Sequence, residues 1–250
     1  MTGHRLLTVT LALLALGACA VPSLAGPGGA APGVLILPDG SPLTVKLGNP
    51  IVRASGNGIA VAVRSTALLR GRLRISGTAP SGAGSVTIQR RDGTAQWAPV
   101  ASAAVAADGR FVALWRPNRT GALQLRAVTG APAAGVAGDE PGAPQLSVSV
   151  YRPGIASWYG PTGPDAMTAC GVPLESWTLG VAHRTLPCGT PVALYYKGRT
   201  IVVPVIDRGP FVTGRSWDLT QAAHTALGGD DGLIRVGALA LPAPAAARVR

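Results

Sequence analysis

The sequence predicts an all-β chain of two modest domains behind an N-terminal leader, and three observations predict it. Short apolar and polar alternations recur between Gly, Pro and Asp-Gly turn signals. No long amphipathic helical pattern occurs before Thr220. Charge is sparse, at 13% Asp, Glu, Lys and Arg, while Gly (34) and Pro (22) are abundant, as suits strands joined by turns.

The first element is an export signal over residues 1–25. Arg5 precedes an apolar stretch from Leu6 to Leu16, and small residues follow. That stretch is too short to span a bilayer as a stable anchor. Two processing routes stay open. Leu16 to Cys19 (LGAC) has the form of a lipobox, in which Cys19 would be lipidated and the protein anchored in the envelope; Ser23-Leu24-Ala25 or Ala18-Cys19-Ala20 suits ordinary signal peptidase and a secreted protein. Gly26 to Gly33 contains only Gly, Ala and Pro, a flexible leader.

Residues 34–67 are strand-like, but their pattern does not say which domain they join. From residue 68 to 151 the runs LLRGRLRISGTAP, GSVTIQRRDG, WAPVASAAVAADGRFVALWRP and GALQLRAVTG have strand length. Val86, Ile88 and Arg90 alternate, as do Leu123, Leu125 and Ala127, with Asp92-Gly93 and Asp108-Gly109 as turns. This spacing predicts an antiparallel β-sandwich and resembles bacterial immunoglobulin-like wall modules. Its acids sit in turns for backbone reasons, so it reads as a binding or spacer domain. The stretch from Gly130 to Pro144 reads as a poorly structured segment or a long hairpin loop, because LSVSVYRP resumes strand-like alternation.

Residues 154–241 hold the groups able to do chemistry. VALYY, a KGR turn and TIVVPVID form a hairpin whose second strand ends at Asp207, where a side chain can leave the core and face a cleft. Arg208-Gly209-Pro210 and Gly214-Arg215 then turn the chain, which would bring Asp207 and Asp218 to one rim. Thr220 is a good N-cap for a short helix, QAAHTAL, closed by Gly228, and His224 on that helix reads as a surface residue. Asp218 lies just before the helix, whose dipole favours its carboxylate form. A raised pKa there would need burial or a like-charged neighbour, which Asp207 could be. Residues 242–250 form a tail.

Of three cysteines, Cys19 falls in the signal. In an oxidising compartment Cys170 and Cys188 are most simply a disulfide, contributing on the order of 3 kcal/mol by loop-closure entropy. Two cysteines and His183 make an incomplete zinc set, so no metal is expected.

The words GIASWYG, TACGVPLESWTLGVAHRTLPCGTPV and VPVIDRGPFVTGRSWDLTQAAHTALGG, in this order, resemble the rare lipoprotein A family. That resemblance implies a six-stranded double-psi β-barrel acting on peptidoglycan glycan strands as a lytic transglycosylase, without a cofactor. It places His183 and Asp207 on positions implicated in cleavage. Asp218 falls on the aspartate that expansins and the membrane-bound lytic transglycosylase A group use as the acid. One departure stands out: the family glutamate after the Thr-Ala-Asn-Gly turn is Val172 here, and its asparagine is Cys170. Glu175 lies three residues on. The cysteine pair is similar to that of disulfide-bearing actinobacterial members and barwin-like barrels. A non-catalytic wall-binding or expansin-like loosening module is the competing expectation, because valine cannot exchange a proton.

Trp158 and Tyr159 read either as filling for the barrel mouth or as a stacking platform for sugar rings. Thr168 could orient a carboxylate or cap a turn. Arg208 could contact substrate or hold a turn.

The net charge of +11 is unevenly placed. Between Pro27 and Val150 twelve Lys and Arg face five acids, whereas Gly154 to Leu241 carries six of each. An exported basic module suits anionic wall polymers or an acidic membrane surface, or its arginines serve solubility alone. Nucleic acid is disfavoured by location and by the lack of interleaved aromatics.

Overall fold

The computed structural model describes residues 36–91, 96–130 and 140–242. The export signal, Cys19, the Gly26 to Gly33 leader, the Asp92-Gly93 turn and the tail beyond residue 242 lie outside them. The strands are β1 (Val45–Leu47), β2 (Ile51–Gly56), β3 (Ile59–Arg64), β4 (Thr66–Leu68), β5 (Leu73–Thr78), β6 (Ser85–Arg91), β7 (Ala98–Ala104), β8 (Arg110–Trp115), β9 (Gly121–Thr129), β10 (Gln145–Tyr159), β11 (Val181–Ala182), β12 (Pro191–Tyr196), β13 (Arg199–Asp207), β14 (Trp217–Thr220) and β15 (Ile234–Ala240). The helix is α1 (Gln221–Leu227).

Two sheets share the first core. One has the order β2-β3-β5-β8; the other runs β10-β9-β6-β7, with β4 paired to β10. Alternation decides which side chains meet. In β8, Phe111, Ala113 and Trp115 are buried while Arg110, Val112 and Leu114 point outward. Ile59, Val61, Val63 and Ile75 from one sheet pack with Val86, Ile88, Leu123, Leu125 and Val148 from the other. Each such side chain contributes roughly 1.5–3 kcal/mol on burial. Residues 51–67, part of the stretch that the sequence left unplaced, supply β2, β3 and most of β4 to these two sheets. The segment before them goes elsewhere: β1 pairs antiparallel with β13, and Leu37 and Leu43 pack on the second core.

That second core lies inside a closed six-stranded double-psi barrel. Its strands run β14-β11-β13-β12-β15-β10, and β10 closes the ring by pairing in parallel with β14. The β12–β13 hairpin turns through Lys197 (φ 41°) and Gly198 (φ 83°), the positive-φ pair that a two-residue turn requires. Thr220 caps α1 by accepting from Ala223 N–H (3.3 Å), and Gly228 ends it in the left-handed region (φ 71°). His224 departs from the sequence expectation, being buried at 7% exposure. Its ring stacks on Trp158 (centroids 5.5 Å), and Nε2 lies 3.0 Å from the Asp230 carbonyl. The helix is too short to leave that position facing solvent once the loop to β15 folds back across it.

Strand β10 belongs to both cores. Gln145 to Val150 pair with β9, Arg152 to Ala156 with β15, and Ala156 to Tyr159 with β14. The junction is tight at Gly237, where an added Cβ would lie 2.8 Å from Tyr151 Cβ and 2.9 Å from Leu68 Cδ2. Tyr151 also packs against Tyr195 of β12, ring centroids 5.8 Å apart.

Candidate functional site

The site grows from a defect in the β13 ladder. Ile201, Val203 and Val205 point into the barrel core, so unbroken alternation would send Asp207 inward as well. A register shift intervenes: Val181 pairs with Val205, but Ala182 pairs with Asp207. Ile206 is the extra residue, and a bulge of this kind re-aims the side chain that follows it. Room for Ile206 comes from Gly180, where a Cβ would fall 2.4 Å from Ile206 Cδ1.

Ala182 also pairs with Asp218 on its other side, and Asp218 pairs with Ser157. Asp207, Ala182, Asp218 and Ser157 therefore form one cross-strand row over β13, β11, β14 and β10. The two aspartates stand two strand spacings apart, roughly 10 Å between Cα atoms, with a small side chain between them.

Each aspartate is held differently. Asp207 Oδ1 accepts two backbone N–H groups, from Ala169 and Arg208, both at 2.8 Å. Asp218 is half-buried, and burial pushes its carboxyl above the ordinary range, helped by the Asp207 charge and opposed by Ser157 and Arg215. Tyr159 lies two residues beyond Ser157 on the same face. Burial, then the Asp207 and Asp218 charges, raise its phenol far above its ordinary value, so it stays protonated. Although Ser157 and Asp207 lie close enough to act on these groups, Ser157 Oγ, the Tyr159 hydroxyl and Asp218 Oδ1 are buried without a hydrogen bond of ordinary geometry. The row thus sets three buried polar side-chain atoms close together.

His183 follows Ala182, and its N–H donates to the Asp207 carbonyl (3.1 Å). Its Nδ1 accepts from Thr185 N–H (3.2 Å) and Leu186 N–H (3.0 Å), which puts the proton of the neutral ring on Nε2. Burial and the Arg184 and Arg208 charges lower its pKa, and its ring packs on Trp217 at 4.6 Å.

Two arginines hold the surrounding loops. Arg208 donates to the carbonyls of His183 (3.2 Å) and Leu186 (2.9 Å) and to Cys188 Sγ (3.2 Å). Arg184, which the sequence reading passed over, donates in the reverse direction to the carbonyls of Pro210, Val212 and Arg215. Thr168 Oγ1 accepts from Val172 N–H (3.1 Å) and so caps the turn that presents Ala169 N–H to Asp207. Cys170 on that turn is disulfide-bonded to Cys188, Cα atoms 5.8 Å apart.

The structure thus gathers Asp207, Asp218, Tyr159 and His183, with Thr168, Arg208 and the disulfide as their frame. Trp158 is not in the row. It lies on the opposite side of β10, stacked on His224 and 42% exposed. Two exposed aromatics inside the motif words were passed over: Trp177 in LESWTLG (67%) and Phe211 in RGPFV (81%). Their signal was available, since large apolar side chains on polar turn segments lack a core to enter. Val172 lines a recess of about 360 Å³ with Leu37, Pro38, Asp39, Cys170 and Cys188. Among the described residues no group of three or more His, Cys, Asp or Glu could hold a metal ion.

Residues 152–238 match the model of the lytic transglycolase family. The barrel is rare lipoprotein A-like. Over 84 residues the chain is 47% identical to the Synechocystis protein named "Probable endolytic peptidoglycan transglycosylase RlpA", covering 33% of this chain and 26% of that one. It is 43% identical over 80 residues to the Campylobacter jejuni "Endolytic peptidoglycan transglycosylase RlpA", covering 31% and 29%. The chain thus spans under a third of the length of these relatives, and the likeness to rare lipoprotein A is confined to the barrel. Among solved structures, Streptomyces papain inhibitor aligns at 28% identity over 34% of this chain and 91% of its own, with a TM-score of 0.27.

Proposed function

We propose that the rare lipoprotein A-like barrel cleaves the glycan strands of peptidoglycan outside the cytoplasm by lytic-transglycosylase chemistry. The observation that carries this reading is the row in which Asp207 and Asp218 straddle Ala182, with the Asp218 carboxyl raised towards its protonated form. The relatives named for this activity support it over the barrel.

Asp218, as the acid, donates its proton to the glycosidic oxygen while the bond from the sugar C1 to that oxygen breaks. The 6-hydroxyl of the same sugar then attacks C1 to close a 1,6-anhydro ring. The Asp218 carboxylate takes the hydroxyl proton and is restored, so no water is consumed. Asp207 contributes negative charge beside the developing oxocarbenium ion and helps keep the Asp218 proton in place. His183 Nε2–H and the Tyr159 hydroxyl are donors for sugar oxygens or for the carboxylates. Trp177 and Phe211 offer open ring faces for flanking sugars. Export by the N-terminal signal, with or without lipidation of Cys19, would deliver the barrel to this substrate.

The test incubates the protein with purified sacculi and with peptide-free glycan strands and looks for 1,6-anhydro ends by mass spectrometry. Retained pull-down by sacculi with no anhydro product would sink the enzyme reading. It would leave the wall-binding or loosening module that Val172 favours.

A further inference from the structure

The outward face of the sheet β2-β3-β5-β8 carries charge of one sign. Strand alternation turns Arg53 on β2, Arg64 on β3 and Arg74 on β5 away from the shared core. Val63 pairs with Ile75, so Arg64 and Arg74 are cross-strand neighbours one step along. Like charges set side by side on a sheet are unfavourable. With Arg72 they line a cleft of about 690 Å³ that reaches Tyr195 on barrel strand β12, and no Asp or Glu lines it. The ion pairs between described side chains, Arg110 with Asp108 and Lys197 with Asp230, lie elsewhere. Arg64 Nη1 donates to the Asn49 carbonyl (2.9 Å), which orients one guanidinium along the wall.

We propose that this cleft binds a linear polyol-phosphate polymer, with successive phosphodiester groups seated on Arg53, Arg64, Arg72 and Arg74. The guanidinium fork matches phosphate oxygens. Among the arginines the lining mixes the apolar Ala62, Ala67 and Leu68 with the polar Asn49, Thr66 and Ser76, which suits a chain that alternates charge with aliphatic carbon and hydroxyl groups. A planar bilayer does not follow a recessed wall closed by Tyr195. Nucleic acid would call for a run of stacking rings, and the cleft has one aromatic side chain. This site stands independently of the glycan-cleaving reading.

The test measures binding of a fluorescent poly(glycerol phosphate) oligomer to the full chain by anisotropy across a salt series. Arg53, Arg72 and Arg74 are exposed, so the triple variant R53Q/R72Q/R74Q should keep the parent melting curve. It should lose on the order of tenfold in affinity or more, and the slope of log affinity against log salt should flatten by about two. K46Q/R152Q/R235Q removes equal charge elsewhere and should bind almost as the parent does. Equal loss in both variants would reduce the effect to net charge and overturn the site. So would unchanged binding by the cleft triple, tighter binding of charge-matched single-stranded DNA, or arginine-dependent binding to phosphatidylglycerol–phosphatidylcholine vesicles without binding of the oligomer. If the triple variant unfolds, the single variants Arg53→Gln and Arg74→Gln are each expected to weaken the oligomer and spare the fold; neither doing so overturns the proposal.

Discussion

Replacing Asp218 by Asn separates the cost of the site from its chemistry. Asp218 Oδ1 is buried without a hydrogen bond, and the carboxyl's pKa is raised, chiefly by burial. In the folded state the group therefore holds its proton to a higher pH than in the unfolded chain, whose value is near 3.8. Below that value both states are protonated and the residue costs little. As pH rises towards and through the raised folded value, the unfolded chain releases the proton first, and folding stability declines. Asparagine has no such dependence. Leaving a buried polar atom unsatisfied costs about 1–3 kcal/mol, and half-exposure puts Asp218 at the lower end, near 1 kcal/mol. In a protein of this size that corresponds to about 2–4 °C. Melting curves of both proteins from pH 3 to pH 8 should coincide at the acid end, with Asp218→Asn more stable at neutral pH by that margin. In the same variant anhydro-product formation should fall about 10²-fold or more, as loss of a general acid requires. The parent's activity should decline with rising pH through the raised pKa. A variant less stable than the parent across the whole range would refute the claim that Asp218 is an energetic burden. An undiminished rate would remove it as the acid.

Further outcomes follow from the frame around the row. Cys170→Ala/Cys188→Ala should lose roughly 3 kcal/mol, read as a drop in melting temperature, and non-reducing peptide mapping of the parent should recover Cys170 joined to Cys188. Ala182→Val places a branched side chain between the two carboxylates and should cost about 1–3 kcal/mol; turnover should fall more steeply than sacculus binding, and equal losses would count against the row. Thr220→Ala removes the α1 cap and the hydrogen bonds to Gly180, for about 1–2 kcal/mol in chemical denaturation. Gly237→Ala should destabilise the junction with Tyr151 and Leu68 in the same assay, whereas Gly214→Ala, with nothing within 4 Å of its added Cβ, should cost only its positive-φ strain.

What the sequence made legible is what short-range chemistry controls. The Lys197-Gly198 turn, the Thr220 cap and the Gly228 stop each need only neighbours in the chain. The prediction that Asp207 and Asp218 share a rim rested on turn residues between them. What escaped has long-range causes. The bulge at Ile206 depends on Gly180, a strand away, and without it the parity of β13 sends Asp207 into the core. His224 is buried by a loop that follows it, and Trp158, read beside Tyr159 as one platform, falls on the other side of β10 because neighbours in a strand face opposite ways. The crossed anchoring of Arg184 and Arg208 joins loops some 25 residues apart in sequence. The sequence reading ended one domain at residue 151 and began the next at residue 154, yet a single strand runs through both bounds. Pro153 falls opposite the gap between the β4 and β14 pairings, where a residue without an N–H is tolerated.

Strand β10 has a mechanical consequence. A hinge between two modules would let each turn freely and absorb a pull as rotation. Here the backbone that borders the sandwich core continues into the row that holds Ser157 and Tyr159. Tension applied along it loads the ladders with β9 and β15 in shear, many bonds bearing at once rather than opening in turn. An anchor gripping the sandwich would thus set the direction in which the rim of the barrel faces, and under the proposed function it would fix which glycan strands come within reach.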